Sequence, residues 1–268
     1  MTRILHLSDP HFGTELPDVV NALRQLMHEL TPEVLVLSGD ITQRARPRQF
    51  RAARAFLDSL AVPQTLVIPG NHDIALFNPF KRALVPYRDY RRILGAGLDP
   101  VIDEFDLLLI GVNTTRRYRH VNGEISGQQI RTVSDRLRAA TRSQLRIVVT
   151  HQPAWVMRQQ DLHDRLRGNV PALREWSKAG VDLILGGHIH LPYIAAVHEK
   201  LAGLERPLWV VQAGTAVSSR LRLEAGNSVN LIEHQPAASH CAVSQWDYQP
   251  ATGRFASVRQ TTLELHRR

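Results

Sequence analysis

Arg3-Ile4-Leu5-His6-Leu7-Ser8-Asp9-Pro10-His11 is a strand-like apolar run that ends in a carboxylate and an imidazole two residues apart. Alone, an Asp-x-His ending says little. The same event recurs downstream. Val34-Leu35-Val36-Leu37 gives out at Gly39-Asp40, and residues 65–68 give out at Gly70-Asn71-His72-Asp73. Residues 145–149 lead to Thr150-His151, and 181–185 to Gly187-His188-Ile189-His190. Strand ends that repeatedly carry Asp, Asn and His are what a two-metal hydrolytic site requires.

Helix patterns separate the first three runs. Residues 16–30 place Leu16, Val19, Val20, Leu23, Leu26, Met27 and Leu30 on one face. Pro47 opens a second helix with Phe50, Ala53, Phe56, Leu57 and Leu60 on its apolar side. A β-α-β-α-β series at about 30 residues per unit predicts a parallel sheet with right-handed crossovers. Short, wholly apolar runs such as 34–37 fit strands covered on both faces. Ligands at the carboxyl ends of such strands meet in one crevice.

Residues 74–100 read as irregular helix interrupted by Pro79 and Pro86, and 106–112 as a further strand. A polar, basic stretch at 113–127 leads into a helix at 127–140. The segment 153–169 mixes basic, acidic and Gln residues around Trp155, Val156 and Met157, and is too long for an ordinary connection. It is read as a lid or cap over the site. A short helix at 170–179 precedes the last motif. Beyond 192 helix patterning stops. Strands at 194–197, 208–212, 227–233, 242–248 and 255–263 are expected to form a second, antiparallel sheet packed on the first. No linker, repeat or low-complexity tract divides residues 1–268, so a single domain is expected.

The composition, 43% apolar and 22% charged, is that of a globular protein. No apolar run approaches the roughly 20 residues that span a bilayer. The chain enters a strand at once, without a basic n-region or apolar h-region, and Cys241 is its only cysteine. A cytoplasmic protein without disulfides is the expectation. The net charge of +8 is carried almost wholly by arginine, since lysine occurs only at 81, 178 and 200. Arginine forks suit phosphate, nucleic acid or an anionic membrane surface, and equally a solvated helix face. No basic run interleaved with aromatics marks a nucleic-acid platform, which disfavours that partner. Monomer and homodimer are both left open.

Carboxylate and amide oxygens mixed with imidazoles favour Mn, Fe, Zn or Co over Ca or Mg. The period of two along a strand predicts that Asp9/His11 and His188/His190 each present two ligands from one side of an extended backbone. Glycine before Asp40, Asn71 and His188 is expected to let the backbone turn sharply.

The ordered set Asp9-x-His11, Gly39-Asp40, Gly70-Asn71-His72-Asp73, Thr150-His151 and Gly187-His188-x-His190 resembles the calcineurin-like metallophosphoesterase superfamily. Within it the chain looks most like the class III cyclic-nucleotide phosphodiesterase branch, over residues 3 to 234. The resemblance implies an α/β fold, a four-layer α/β/β/α sandwich with mixed sheets, and a centre of two divalent metal ions. One ion would take Asp9, His11, Asp40 and His190; the other would take Asp40, Asn71, His151 and His188, with Asp40 bridging. It implies attack by a metal-activated hydroxide, with His72 stabilising charge on the phosphoryl oxygens or protonating the leaving alkoxide. Protein-phosphatase relatives carry an acidic residue shortly after Gly-Asp. Here Ile41-Thr42-Gln43-Arg44 has none, which disfavours phosphoprotein substrates and leaves Asp73 as the only carboxylate beside His72.

His6 lies within the first strand and is read as core, while His28, His163, His198, His234, His240 and His266 are read as surface or strand positions. Arg116 and His120, in the basic stretch after Asn113, are candidate substrate contacts, as is Arg220 (or Arg222) after the strand at 208–212. The leading expectation is a hydrolase of small phosphodiesters, of the cyclic-nucleotide or glycerophosphodiester class. A pyrophosphate hydrolase acting on a nucleotide-linked lipid precursor at a membrane surface competes with it. That lipid-enzyme family reads Gly-Asn-Arg-Asp-Phe where this chain has Gly70-Asn71-His72-Asp73. A DNA-repair-type nuclease is disfavoured, since no additional DNA-binding domain or coiled coil is expected within residues 1–268, and a metal-binding scaffold of the same fold would tend to lose ligands that are all present.

Overall fold

The computed structural model describes residues 1–75, 78–95, 97–204, 206–222 and 225–266. The amino-terminal half alternates strands and helices: β1 (Thr2–Leu7), α1 (Pro17–Leu30), β2 (Val34–Leu37), α2 (Pro47–Leu60) and β3 (Gln64–Val67). Two short helices follow, α3 (Pro79–Leu84) and α4 (Arg88–Leu94), where irregular helix was expected; residues 76, 77 and 96 of that stretch lie outside the described ones. Next come β4 (Val101–Glu104), β5 (Leu107–Gly111), α5 (Gly127–Ala139), β6 (Leu145–Val149), α6 (Asn169–Ala179) and β7 (Leu183–Gly186). The rest is strand: β8 (Tyr193–Ala196), β9 (Trp209–Gln212), β10 (Ser228–His234), β11 (His240–Gln249) and β12 (Arg254–Glu264).

These strands form two mixed six-stranded sheets, ordered β12-β11-β10-β1-β2-β3 and β4-β5-β6-β7-β9-β8. Residue alternation stacks them. In β1 and β2, Leu5, Leu7, Leu35 and Leu37 face α1 and α2, burying Val19, Leu23, Phe50 and Phe56. Their neighbours Ile4, Val34 and Val36 face the other sheet, against Leu109, Ile147, Val149 and Leu185. On the far side Leu108, Ile110, Val148 and Ile184 turn to α5 and α6, where Ile130, Leu137 and the fully buried Trp176 cover them. Helices, sheet, sheet, helices is the four-layer order. Both faces of each central strand are covered, and this is why the runs at 34–37 and 145–149 are apolar throughout.

The expected second antiparallel sheet is not formed by the tail. β10 instead pairs antiparallel with β1, extending the first sheet through β11 and β12. β9 pairs parallel with β7, with β8 antiparallel at its edge. The parallel strands themselves split, β1–β3 into one sheet and β5–β7 into the other. Periodicity identifies a strand and its buried faces but carries no record of its pairing partner. The hairpin of β4 on β5 was also missed, because Val101-Ile102-Asp103-Glu104 has too few apolar residues to stand out.

Candidate metal centre

All five motifs follow strands of the two sheets at one end of the sandwich, and the loops are knitted together. Asp9, His11 and Phe12 donate backbone N–H bonds to Gly39, Asp40 and Ile41. The sheets are joined there too: the His188 amide donates to Asp9 Oδ2 at 2.8 Å, and His151 Nδ1 to the Ser38 carbonyl at 2.8 Å.

Asp9, His11 and His190 bring three ligand atoms together in one group; Asp40, His151 and His188 do so in another. In the first, Asp9 Oδ1 lies 3.6 Å from His11 Nε2 and 3.2 Å from His190 Nε2, and the two Nε2 atoms are 3.2 Å apart. In the second, His151 Nε2 sits 3.3 Å from Asp40 Oδ1 and 3.2 Å from Asn71 Oδ1. Asp40 serves both groups, since its Oδ2 faces His11 at 3.7 Å and His72 Nε2 at 4.0 Å. Carbonyls fix the tautomers: they only accept, so Nδ1 carries the proton where His72 meets Gln43 O, His151 meets Ser38 O and His190 meets Arg220 O. Each of these rings thereby presents Nε2 to the cluster.

The electrostatics fit a cation. Burial opposes charge on Asp9 and Asp40, yet the imidazoles around them hold both carboxyls well below the usual range. Burial likewise opposes charge on His151, but the Asp40 carboxylate pushes it up to about 9. Asp9 Oδ1 is buried without a hydrogen-bond partner among the described residues, with His190 Nε2 at 3.2 Å and His11 Nε2 at 3.6 Å. Such convergence of buried oxygens and Nε2 atoms matches what divalent metals of the Mn, Fe, Zn and Co type take.

The ligand backbone is not extended as the period-of-two reading expected. β1 stops at Leu7 and β7 at Gly186, and Asp9, His11, Asp40, His188 and His190 all adopt left-handed conformations, with φ of 52°, 42°, 48°, 74° and 56°. Each such position costs roughly 1–3 kcal/mol in a residue with a Cβ. Only Gly39, at φ +104°, provides the turn expected of the glycines. Gly70, at φ −99°, is there for space, because a Cβ would stand 2.1 Å from the Asp40 amide nitrogen. A Cβ on Gly187 would likewise collide with Ser8 Oγ.

Asp73 does not partner His72. Its carboxylate accepts from Ile41 N, Thr42 N, Thr42 Oγ1 and Gly70 N, clamping two ligand loops together. Burial, with the Asp40 charge, pushes its pKa up to about 6. The Gln43 carbonyl holds His72 instead, which no side-chain pattern could reveal.

The other candidates separate. Arg220 is beside the centre: its carbonyl holds His190 and its guanidinium donates to Gln43 Oε1. Arg116 donates to Asn113 O, Thr115 O and Gln129 Oε1, bracing its own loop on α5, and His120 is exposed. Neither makes a contact with a motif residue among the described ones, because the loop packs on α3 through Arg82. His6 is core, with Nε2 against Ser38 Oγ at 2.9 Å. Sequence reasoning overlooked Asp164, whose Oδ1 lies 3.6 Å from His188 Nε2.

A sequence model of calcineurin-like phosphoesterases matches residues 2–192. The chain belongs to the calcineurin-like phosphoesterase family. Among relatives, glycerophosphodiester phosphodiesterase GpdQ of Enterobacter lignolyticus is 28% identical over 169 residues, 56% of this chain and 56% of that protein. UDP-2,3-diacylglucosamine pyrophosphatase LpxG of Chlamydia trachomatis is 24% identical over 249 residues, 76% of this chain and 70% of that protein. The purple acid phosphatase of yellow lupin seeds shares the fold, with a TM-score of 0.70 at 10% identity, over 98% of this chain and 53% of its own. The match to GpdQ thus spans little more than half of that relative. Both groups of candidate metal ligands lie within the residues that the calcineurin-like phosphoesterase model matches. Among the described residues no helix is long and apolar enough to cross a membrane.

Proposed function

We propose that the chain is a dinuclear-metal phosphodiesterase of the class III type, hydrolysing small diesters of the glycerophosphodiester or cyclic-nucleotide class. The observation that carries this reading is Asp40, which offers Oδ1 to the His151 group and Oδ2 to the His11 group. One position would be held by Asp9, His11, Asp40 and His190, the other by Asp40, Asn71, His151 and His188. Bound divalent ions supply Lewis acidity for the phosphoryl oxygens and an acidified water as nucleophile.

The chain's own groups do the rest. His72 keeps Nδ1–H on the Gln43 carbonyl and turns Nε2 toward Asp40, so in its protonated form it donates to a phosphoryl oxygen or to the leaving alkoxide. The His72 side chain is 20% exposed, the access a substrate needs. Arg220, tethered to Gln43, stands beside it as a phosphate contact. The likeness to GpdQ supports a diester substrate. The likeness to LpxG favours a second reading, cleavage of a pyrophosphate in a nucleotide-linked lipid precursor.

The test is turnover with Mn²⁺ on bis(p-nitrophenyl) phosphate, p-nitrophenyl phosphate, cyclic AMP, a glycerophosphodiester, a UDP-linked pyrophosphate and single-stranded DNA. Diesters should be turned over, and Asp40→Ala or His151→Ala should abolish it. His72→Ala should keep both ions yet lose about 10²–10⁴-fold in rate. Turnover of the pyrophosphate alone would establish the second reading; turnover of none would remove the diesterase assignment.

A further inference from the structure

The segment 153–169 makes a contact with the metal centre that the ligand set does not account for. It is built rather than loose: a 3₁₀ stretch spans Gln159–Asp164, the Leu166 amide donates to Pro153 O, Asn169 Nδ2 to Ala154 O, and Tyr193 Oη to Trp155 O. Two of its carboxylates reach the His188-Ile189-His190 motif. Asp164 Oδ1 lies 3.6 Å from His188 Nε2. Buried Asp161 accepts from Arg222 at 2.9 Å, and the same guanidinium donates to the Ile189 carbonyl.

His188 differs from the other histidines of the centre in where its Nε2 points; His11 also has Nδ1 buried without a partner among the described residues, but its Nε2 faces Asp9 and Asp40. His72, His151 and His190 each have Nδ1 engaged by a carbonyl and Nε2 directed at a carboxylate of the ligand set. In His188, whose side chain is 6% exposed, Nδ1 is buried with no partner among the described residues, and Nε2 faces Asp164. Asp164 does not belong to the group of ligand atoms within 4.8 Å of one another. It meets the ring at Nε2 from outside that group. A metal-binding imidazole commonly donates its remote N–H to a carboxylate, which orients the ring and raises its basicity. The 3.6 Å separation is just beyond hydrogen-bond length and within ion-pair distance.

We propose that Asp164 is a positioning residue for the second metal site: it accepts from His188 Nε2–H, leaves Nδ1 as the ligand atom, and ties the 153–169 segment to metal occupancy. The inference rests on the dinuclear reading above. Ion binding at His188 then orders the segment, and the segment in turn holds the ring.

Titration with Co²⁺, followed by its visible absorption and by hydrogen exchange, tests this without an activity readout. Wild type should bind two ions, with slower exchange across 159–164 when loaded. Asp164→Ala should weaken the second ion about 10–100-fold, leave the first unchanged, and abolish the added protection. Asp164→Asn, which still accepts through Oδ1 without the charge, should fall between the two. Urea midpoints in chelator should agree among the three, which excludes misfolding. Wild-type affinity and protection in Asp164→Ala would overturn the assignment, whereas failure of wild type to take up a second ion would overturn the dinuclear reading itself.

Discussion

Five residues of the ligand set share a left-handed backbone, and they are over half of the nine non-glycine residues with positive φ among those described. The candidate ligands were legible, because Asp, Asn and His recur at strand ends. Their conformation was not, because nothing in an Asp-x-His pattern distinguishes an extended pair from a left-handed one. His6 shows a second residue-level cost. Buried completely, with Ser38 Oγ on one nitrogen, it is pushed down to about 3 by desolvation, while the Asp9 charge acts the other way. The unfolded chain binds the proton near pH 6.5 and the folded chain does not until about pH 3. Stability is therefore whole above pH 6.5 and falls as pH drops through that window, by about 1.4 kcal/mol per pH unit at its steepest. Urea unfolding in chelator at pH 7.5, 6 and 5 should show this slope, and His6→Asn should flatten it. An unchanged slope in the variant would assign the acid sensitivity elsewhere.

At the scale of elements, the helices α1, α2, α5 and α6 were read with ends displaced by a residue or so, since their apolar stripes are local. The loops between elements were read less well. The glycine at 70 looked like a turn and is instead a point where two loops touch, the Asp40 amide standing against its Cα. Gly70→Ala should therefore push the loop after β2 off the loop after β3. The expected loss is at least the 1–3 kcal/mol usual for overpacking, together with the ion shared by Asp40 and Asn71. Unfolding curves and metal stoichiometry would check it, and a variant with wild-type stability and two ions would show that the contact relaxes freely. The segment 153–169 was recognised by its length, but its anchoring through Asp161 and Asp164 was not, because both partners lie in loops far along the chain.

The whole molecule is held at the centre by contacts between its two sheets. The bond from the His188 amide to Asp9 spans 179 residues, and the one from His151 to Ser38 spans 113. On the dinuclear reading, the buried carboxylates and left-handed backbones at this junction should be stabilised by mass action when a cation binds. At a hundredfold excess over its Kd, one ion adds about 2.7 kcal/mol, or roughly 5–10 °C in Tm for a chain of this size. Thermal melts with Mn²⁺ or Zn²⁺ against a chelator should show that rise, and Asp40→Ala should abolish most of it. A Tm indifferent to metal in wild type would mean that the junction needs no cation.

By itself the sequence determined most of the strands and helices, their buried faces, and which Asp, Asn and His residues at strand ends are candidate ligands, since these follow from periodicity and residue chemistry within a few positions. Only the tertiary structure decided how the strands divide between two sheets, which nitrogen of His72, His151 and His190 faces the cluster, and that Asp164 meets His188 at Nε2. Those outcomes depend on pairings between residues from different loops and strands, tens to hundreds of positions apart, or on backbone carbonyls, and neither leaves a local pattern to read.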